Sequence, residues 1–406
     1  MKGLLLLCLI LPTLSQAQVS MESFLTAVLE DPMIRSFDEQ DSYLSASPYS
    51  LAPVKELELR TESNQLDGGR QEYALRVKPS NPWEVKRNNQ YYQTYQELLS
   101  LDRQRELKNM LKIRYETIIE WVYLQEQRIL KEEDQKLSAA LISMLEAQQF
   151  SSFFDANEYA ELKIEQIEKG VSLEDLYFEE DKLRNTIAKL YPLAQNQTIS
   201  WSMDDLISVD KLQMITALGE INTGGGEIAY REKKIDLAKS EMALEKTNID
   251  MGYLQAKYEQ YRIEQDRSPW SIGLGVTIPI FNPNKNKITK RKLEMIEAEG
   301  ELEEANVLQQ SGFNLASQKI KQFIVRYRKL EEQLEIMDVD ALARSLQEME
   351  SSNPVVMIQL KRSIIKSKTV AARLKKEIYL AYIEYLAYAE MLQQAPFKNY
   401  LSQEVN

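Results

Sequence analysis

Residues 270–283 read Trp270-Ser271-Ile272-Gly273-Leu274-Gly275-Val276-Thr277-Ile278-Pro279-Ile280-Phe281-Asn282-Pro283, and this stretch decides the fold. Trp270, Ile272, Leu274, Val276, Ile278 and Ile280 occupy every second position. Successive side chains of a strand point to opposite faces. One face is therefore wholly apolar, while Ser271, Gly273, Gly275 and Thr277 make the other small and polar. Asn282-Pro283 stops the strand, because proline donates to no ladder and biases its predecessor away from helix. A very long charged and aliphatic segment with helical spacing follows. A greasy strand feeding a helix too long for an ordinary globule points to a membrane β-barrel joined to a helical tube.

Composition agrees with long helices. The 406 residues are 28% charged and 44% hydrophobic, with only 13 Gly and 12 Pro. A formal net charge of −12 argues against a nucleic-acid partner, which wants a basic face. Met1-Lys2-Gly3 followed by Leu4 to Leu11 gives a charged start and a short apolar run. With Ser15-Gln16-Ala17 as the cleavage site, residues 1–17 are expected to be a signal peptide and Gln18 to open the mature chain. Cys8 is the only cysteine, and Leu7 precedes it where a lipoprotein signal wants a small residue. The mature chain then has no Cys, and the whole chain has no His. Thiolate nucleophiles, imidazole bases and most zinc sites are excluded together. Carboxylates are not spaced as a hard-cation loop requires. No catalytic residue, cofactor or metal is expected, and the chain is expected not to be an enzyme.

Taken in order, Met21 to Glu30 reads as a short helix and Met33 to Ser47 as a polar one. Val54 to Ser63 and Gln71 to Pro79 read as strands around Asp67-Gly68-Gly69, a hairpin turn signal. Leu57 and Leu59 share one face of the first strand, and Tyr73, Leu75 and Val77 one face of the second; charges fill the opposite faces. Pro82 to about Gln149 reads as a helix of roughly 100 Å, with Leu107, Leu111, Ile118, Val122 and Ile129 as its apolar stripe. A return helix runs from Asp155, capped with Glu158, to about Leu190. The hairpin tip lies either at Ser151-Ser152 or at Gly170-Val171-Ser172. Leu193 to Met214 reads as a packed linker. Gly224-Gly225-Gly226 precedes a helix to Asn248, and Met251 to Arg262 reads as a strand. A second long helix spans 284 to about 350, broken by Ser351-Ser352-Asn353-Pro354, and its return fills 355 to 392.

The halves repeat at an offset of 201. Tyr73, Leu75 and Val77 fall on Leu274, Val276 and Ile278, and Asn81-Pro82 on Asn282-Pro283. Each half is helix, hairpin, long helix, tip and return helix. Four strands close no barrel, and an open sheet edge has no place in lipid. Long helices must also bury their stripe, so a symmetric homo-oligomer is expected.

Gly273-Leu274-Gly275-Val276-Thr277-Ile278-Pro279-Ile280-Phe281, the following Asn282-Pro283, the duplicated hairpin-plus-long-helix plan and the export signal resemble the TolC-like outer-membrane efflux protein family. The resemblance covers essentially all of the mature chain. It implies a mostly α protein with a small β part: a homotrimer whose twelve-stranded barrel in outer-membrane lipid continues into a periplasmic α-helical barrel. Residues 18–406 would form one protomer. Its barrel segments would be 54–80 and 249–281, its tunnel segments 82–190, 214–248 and 283–392, and its equatorial segments 191–213 and 393–406. A periplasmic adaptor and an inner-membrane pump would be partners.

On this plan Trp270, Ile272, Leu274, Val276 and Ile278 face lipid, and Ser271, Gly273, Gly275 and Thr277 line the lumen. Tyr253, Tyr258 and Trp270 are candidates for an aromatic girdle. Asp155, Glu158, Glu348 and Glu350 lie near the predicted tunnel tip, with Asp338 and Asp340 less directly placed. Repeated by symmetry they would form cation-favouring rings; their ordinary reading is as helix caps and solvated charges. The leading function is a passive outer-membrane exit duct. The alternative is a non-channel periplasmic coiled-coil scaffold or adaptor with a degenerate barrel, suggested by the charged first hairpin.

Overall fold

The computed structural model describes residues 18–46, 51–63, 71–147, 149–150, 154, 156–218, 226–248, 250–260, 268–277, 284–336 and 354–403. Eight α-helices and six strands occur among them: β1 (Gln18–Val19), α1 (Met21–Thr26), α2 (Pro32–Ala46), β2 (Val54–Ser63), β3 (Gln71–Pro79), α3 (Pro82–Ala147), α4 (Ala156–Leu190), β4 (Thr198–Ile199), α5 (Val209–Leu218), α6 (Glu227–Thr247), β5 (Gly252–Glu259), β6 (Trp270–Val276), α7 (Lys285–Ile336) and α8 (Pro354–Tyr388). No described helix is long and apolar enough to cross a membrane.

The chain divides into two compact units. One comprises the residues up to Asp31, Leu107–Ile221 and those from Ser311 onward; the other comprises Pro32–Glu106 and Asn222–Gln310. The second unit holds β2, β3, β5 and β6 as one antiparallel sheet in that order.

In the first unit, α3 packs on α4 and α8 through Leu141, Ile142, Leu145, Leu162 and Ile358, and again through Leu130, Ile365 and Ala372. Leu107, Leu111, Ile118 and Val122 are buried on α3, but Ile129 is exposed and Leu130 takes its place. The eleven-residue step holds one residue further along, from Ile119 to Leu130 to Leu141, all buried. An eleven-residue repeat nearly matches the helical pitch, so a stripe chosen one position off leaves the core side by its third repeat. α4 is continuous from Ala156 to Leu190, so Gly170 to Ser172 lie inside a helix and do not form the tip. One isolated glycine in a well-packed helix costs about 1 kcal/mol and does not end it.

Segments remote from one another in sequence meet in the first unit. β1 pairs in parallel with β4, Gln18 opposite Thr198. Trp201 donates its indole N–H to Val19 O at 2.8 Å, and its ring packs tilted against Phe24 at 5.2 Å. The Ile207 N–H bonds Leu401 O at 2.8 Å. Arg114, fully buried, donates to Phe24 O at 3.1 Å, and its loss of hydration pulls the guanidinium below its ordinary value despite Asp31 nearby.

Candidate functional site

The sheet of the second unit sorts its side chains by face. Register places Leu57, Val77, Leu254 and Leu274 in one row, and Leu59, Leu75, Ala256 and Ile272 in the next. Thr61, Tyr73, Tyr258 and Trp270 form a third, with the Tyr258 and Trp270 rings 4.9 Å apart and tilted by 52°. This apolar face is open: Trp270, Ile272, Leu274 and Val276 are between 65% and 88% exposed. A contiguous apolar sheet face of this size is not tolerated in water and marks a membrane or partner surface.

The opposite face carries the charges, paired across strands and once within β5. Glu56 accepts from Lys78 at 2.8 Å, Glu58 from Arg76 at 3.3 Å, and Glu72 and Glu259 both accept from Lys257, at 2.6 and 2.8 Å. Arg76 also donates to Gln255 at 3.0 Å and lies over the Tyr253 ring at 4.2 Å. Tyr253 lies flat on Gly275, where any Cβ would overlap its ring. Gly252, at φ 111°, takes a conformation side chains avoid, and a Cβ there would strike the Gly275 carbonyl. Glycine on β6 thus lets long side chains lie along the wall instead of standing off it. The sequence shows the charges of β2 and β3 and the glycines of β6. It does not show the Arg76–Tyr253–Gly275 stack, because the β3–β5 register is a long-range fact.

Trp270, Ile272, Leu274 and Val276 lie together on the apolar face, with Ser271, Gly273 and Gly275 on the other. Thr277 follows β6 outside the strand, and its N–H bonds Met251 O at 3.3 Å. Ile278 lies outside the described residues. So do Asp155, Glu348, Glu350, Asp338 and Asp340. Glu158 is in the first turn of α4 and accepts a hydrogen bond from Gln359 of α8 at 3.2 Å. Among the described residues no three acidic, His or Cys side chains cluster as a metal site.

Both outer edges of the sheet, β2 and β6, lack a neighbour among the described residues. The barrel expected from the sequence is not closed by one chain. Helices of the same unit repeat the strand order. α2 meets α3 through Asp38–Arg103 at 2.7 Å, α3 meets α6 through Glu97–Lys233 at 2.7 Å, and α6 meets α7 through Glu241–Arg291 at 2.8 Å. α2 leads into β2, β3 into α3, α6 into β5 and β6 into α7. Each strand is continued by its own helix, so the two layers share the order β2-β3-β5-β6 and α2-α3-α6-α7. Burial raises the Glu241 carboxyl above its ordinary value, against the pull of Arg291.

No protein-family sequence model and no curated protein sequence matches the chain. Solved structures do. The outer membrane protein VceC of Vibrio cholerae superposes with a TM-score of 0.64 at 8% identity, over 91% of this chain and 96% of that one. The outer-membrane channel OprN gives 0.66 at 11% identity, over 92% and 91%. The CmeC outer membrane channel of Campylobacter jejuni gives 0.66 at 11% identity, over 95% and 87%. Coverage of nearly the whole of both chains at this similarity leaves one architecture: the chain has the fold of the TolC-like outer-membrane channels.

Proposed function

We propose that the protein is a passive exit duct of the outer membrane, closed from several copies of this chain and working with a periplasmic adaptor and an inner-membrane pump. The observation that carries the reading is the sheet itself, apolar and exposed on one face, ion-paired on the other and open at both edges. Its strands alternate in direction from β2 to β6, so β6 of one copy beside β2 of the next continues an antiparallel ladder without a mismatch.

Copy number follows from what the inner face must hold. At about 4.8 Å between strands tilted about 40°, eight strands give a backbone radius of roughly 8 Å and twelve roughly 12 Å. Arg60, Arg76, Lys257 and Tyr253 would fill the smaller ring; the larger keeps a passage, which favours three copies. The charged first hairpin no longer speaks for a scaffold, since its charges lie on the ion-paired face. From Val276 to Trp270 the apolar face spans about 20 Å along β6, or about 15 Å of height, against about 25 Å for a membrane barrel's band.

Density-gradient fractionation of the envelope, with a carbonate or urea wash of the outer-membrane band, tests this. Retention in the washed membrane and migration as a trimer in mild detergent is expected. A protein that washes off as a soluble periplasmic species refutes the duct.

A further inference from the structure

We propose that Lys86, Lys246, Lys285 and Lys292 form a collar below the apolar sheet face that docks on the headgroups of anionic phospholipid in the periplasmic leaflet. The collar rests on the duct reading and adds to it a class of lipid and the side chains that hold it.

The chain carries a net charge of −12, yet residues 285–292 hold Lys285, Lys287, Lys290, Arg291 and Lys292 with no acid among them. They open α7, just after β6 and Asn282-Pro283. Most cations of the second unit are neutralised: Arg231, Lys233, Lys234, Lys257 and Arg291 each lie within 2.8 Å of a carboxylate. Lys86, Lys246, Lys285 and Lys292 are exposed and form no ion pair among the described residues. Asp250, the acid that follows Lys246, is held by Lys55 at 3.7 Å.

Handedness decides which way these lysines point. Odd-numbered residues of β5 carry the charged face, and on that face the backbone bonds β6, Glu259 N–H to Pro269 O at 2.9 Å and Thr277 N–H to Met251 O at 3.3 Å. For L-residues this sets β6 and α7 to the left of β5 and α6, seen from the apolar side with the helices hanging down. α7 runs downward and turns Arg291 right, toward Glu241 of α6. At about 100° per residue, clockwise from above, Lys285 and Lys292 come between a quarter and a third of a turn further, on the apolar side. Lys290 falls on the other side, toward the lumen. On α3, Gln96 faces α2 on the right, and the same rotation brings Lys86 and then Trp83 to the apolar side. α6 runs upward, and Lys246 is a quarter-turn on from Glu245, which faces Lys287 of α7 at 3.8 Å.

The collar is therefore continuous with the face of Trp270, Ile272 and Leu274. Lys285 opens α7, Lys246 precedes the last residue of α6, and Lys86 and Lys292 lie one and two turns into their helices. The four occupy a band about 10 Å deep, close to the thickness of a headgroup layer plus the reach of a lysine stem. Trp83, 64% exposed at the top of α3, is the amphipathic ring such an interface takes. Phosphate is the charge that four unpaired ammoniums at this depth complement, and each lysine near an anionic surface favours it by about five-fold.

The full chain is purified in mild detergent and offered phosphatidylglycerol or phosphatidylcholine of equal chain length, and bound lipid is counted by native mass spectrometry. Phosphatidylglycerol should be retained in preference. The combined variant Lys86→Gln, Lys246→Gln, Lys285→Gln and Lys292→Gln, with its helix content checked by circular dichroism, should lose that preference by at least about five-fold. Lys290→Gln, on the lumen side, should leave it unchanged. A combined variant that keeps the wild-type preference, or a Lys290→Gln variant that loses it, overturns the collar. Displacement of the lipid by millimolar inorganic phosphate overturns it too, by revealing a free-anion site. A protein that stays in the washed membrane but shows no preference refutes the collar alone, whereas one that washes off refutes the duct.

Discussion

Glu390→Gly separates two opposing effects where the chain ties the end of α8 to α3. Glu390 follows α8 at φ 56°, a region where a side chain costs about 1 kcal/mol and glycine nothing. Its N–H bonds Ala387 O at 3.2 Å, and the Met391 N–H closes back on Leu386 O at 3.0 Å. Backbone alone would favour glycine. The carboxylate, 2% exposed, accepts from Lys108 Nζ at 2.7 Å and from Gln393 Nε2 at 2.7 Å. Removing one partner of a buried pair costs about 3–5 kcal/mol. Lys108 keeps some access to water, which sets the loss near the lower end. Glycine recovers the strain, so Glu390→Gly should lose about 2 kcal/mol, and Glu390→Ala, which keeps the strain, about 3. Urea midpoints of the detergent-solubilised protein, followed by far-UV circular dichroism, should rank wild type above Gly and Gly above Ala. A glycine variant as stable as wild type would show that the Lys108 pair contributes nothing. An alanine variant equal to the glycine one would show that the backbone strain is illusory.

Three further outcomes are expected. Ile272→Arg should lose outer-membrane insertion, since a cation on the lipid face costs about 2–4 kcal/mol at mid-depth, whereas Ser271→Arg on the other face should insert; equal membrane yields of the two would invert the face assignment. Burial pushes the Tyr115, Tyr379 and Tyr382 hydroxyls well above 10.0, so the folded state resists ionisation. Stability is full below pH 10 and is lost as pH rises from there, because the unfolded chain ionises first. Tyr382, whose hydroxyl has no partner among the described residues, should tolerate Phe almost without cost and gain alkaline resistance. Tyr115, bonded to Lys398 O at 3.0 Å and to Tyr400 N at 3.2 Å, should lose about 1–3 kcal/mol as Phe, read from urea midpoints at pH 7. Gly312→Ala places a methyl in the Tyr388 ring and should cost about 1–3 kcal/mol, with Tyr388→Ala relieving it; additive losses in the double variant would refute the contact.

What was legible in the sequence was periodic. Alternation along 270–276 and 71–79 gave both the strands and their faces, because a period of two leaves no choice once one face is buried or lipid-facing. The Asn-Pro steps gave the helix starts at 82 and, within two residues, at 285. A stripe drawn on a 66-residue helix failed at Ile129 because small errors of phase accumulate with length. Gly170 left the tip open between two places for a different reason: its neighbours pack well enough on α3 to carry a helix through it, as Lys131 reaching Ser172 across the α3–α4 contact shows. The pairing of β1 with β4 and of Ile207 with Leu401 was unreadable, since two-residue strands carry no period.

The repeat explains why the site was half visible. Each half supplies a hairpin whose two strands are close in sequence, and hairpins announce themselves through turn and alternation. The junction between halves, β3 against β5, joins residues about 180 apart, as Arg76 and Gln255 do, and no local signal reports it. In the proposed assembly, β6 against β2 of another copy would be equally silent in the sequence. What distinguishes the two junctions is chemistry. Inside the chain the helices meet through charges, Glu97 with Lys233 and Arg105 with Glu227. At the open edges they present Leu293, Ile296 and Tyr43, which gain only when a partner removes them from water. If copies of the chain assemble as proposed, placing charges at Leu293 and Ile296 should leave a folded monomer that forms no ring, read from its migration in mild detergent.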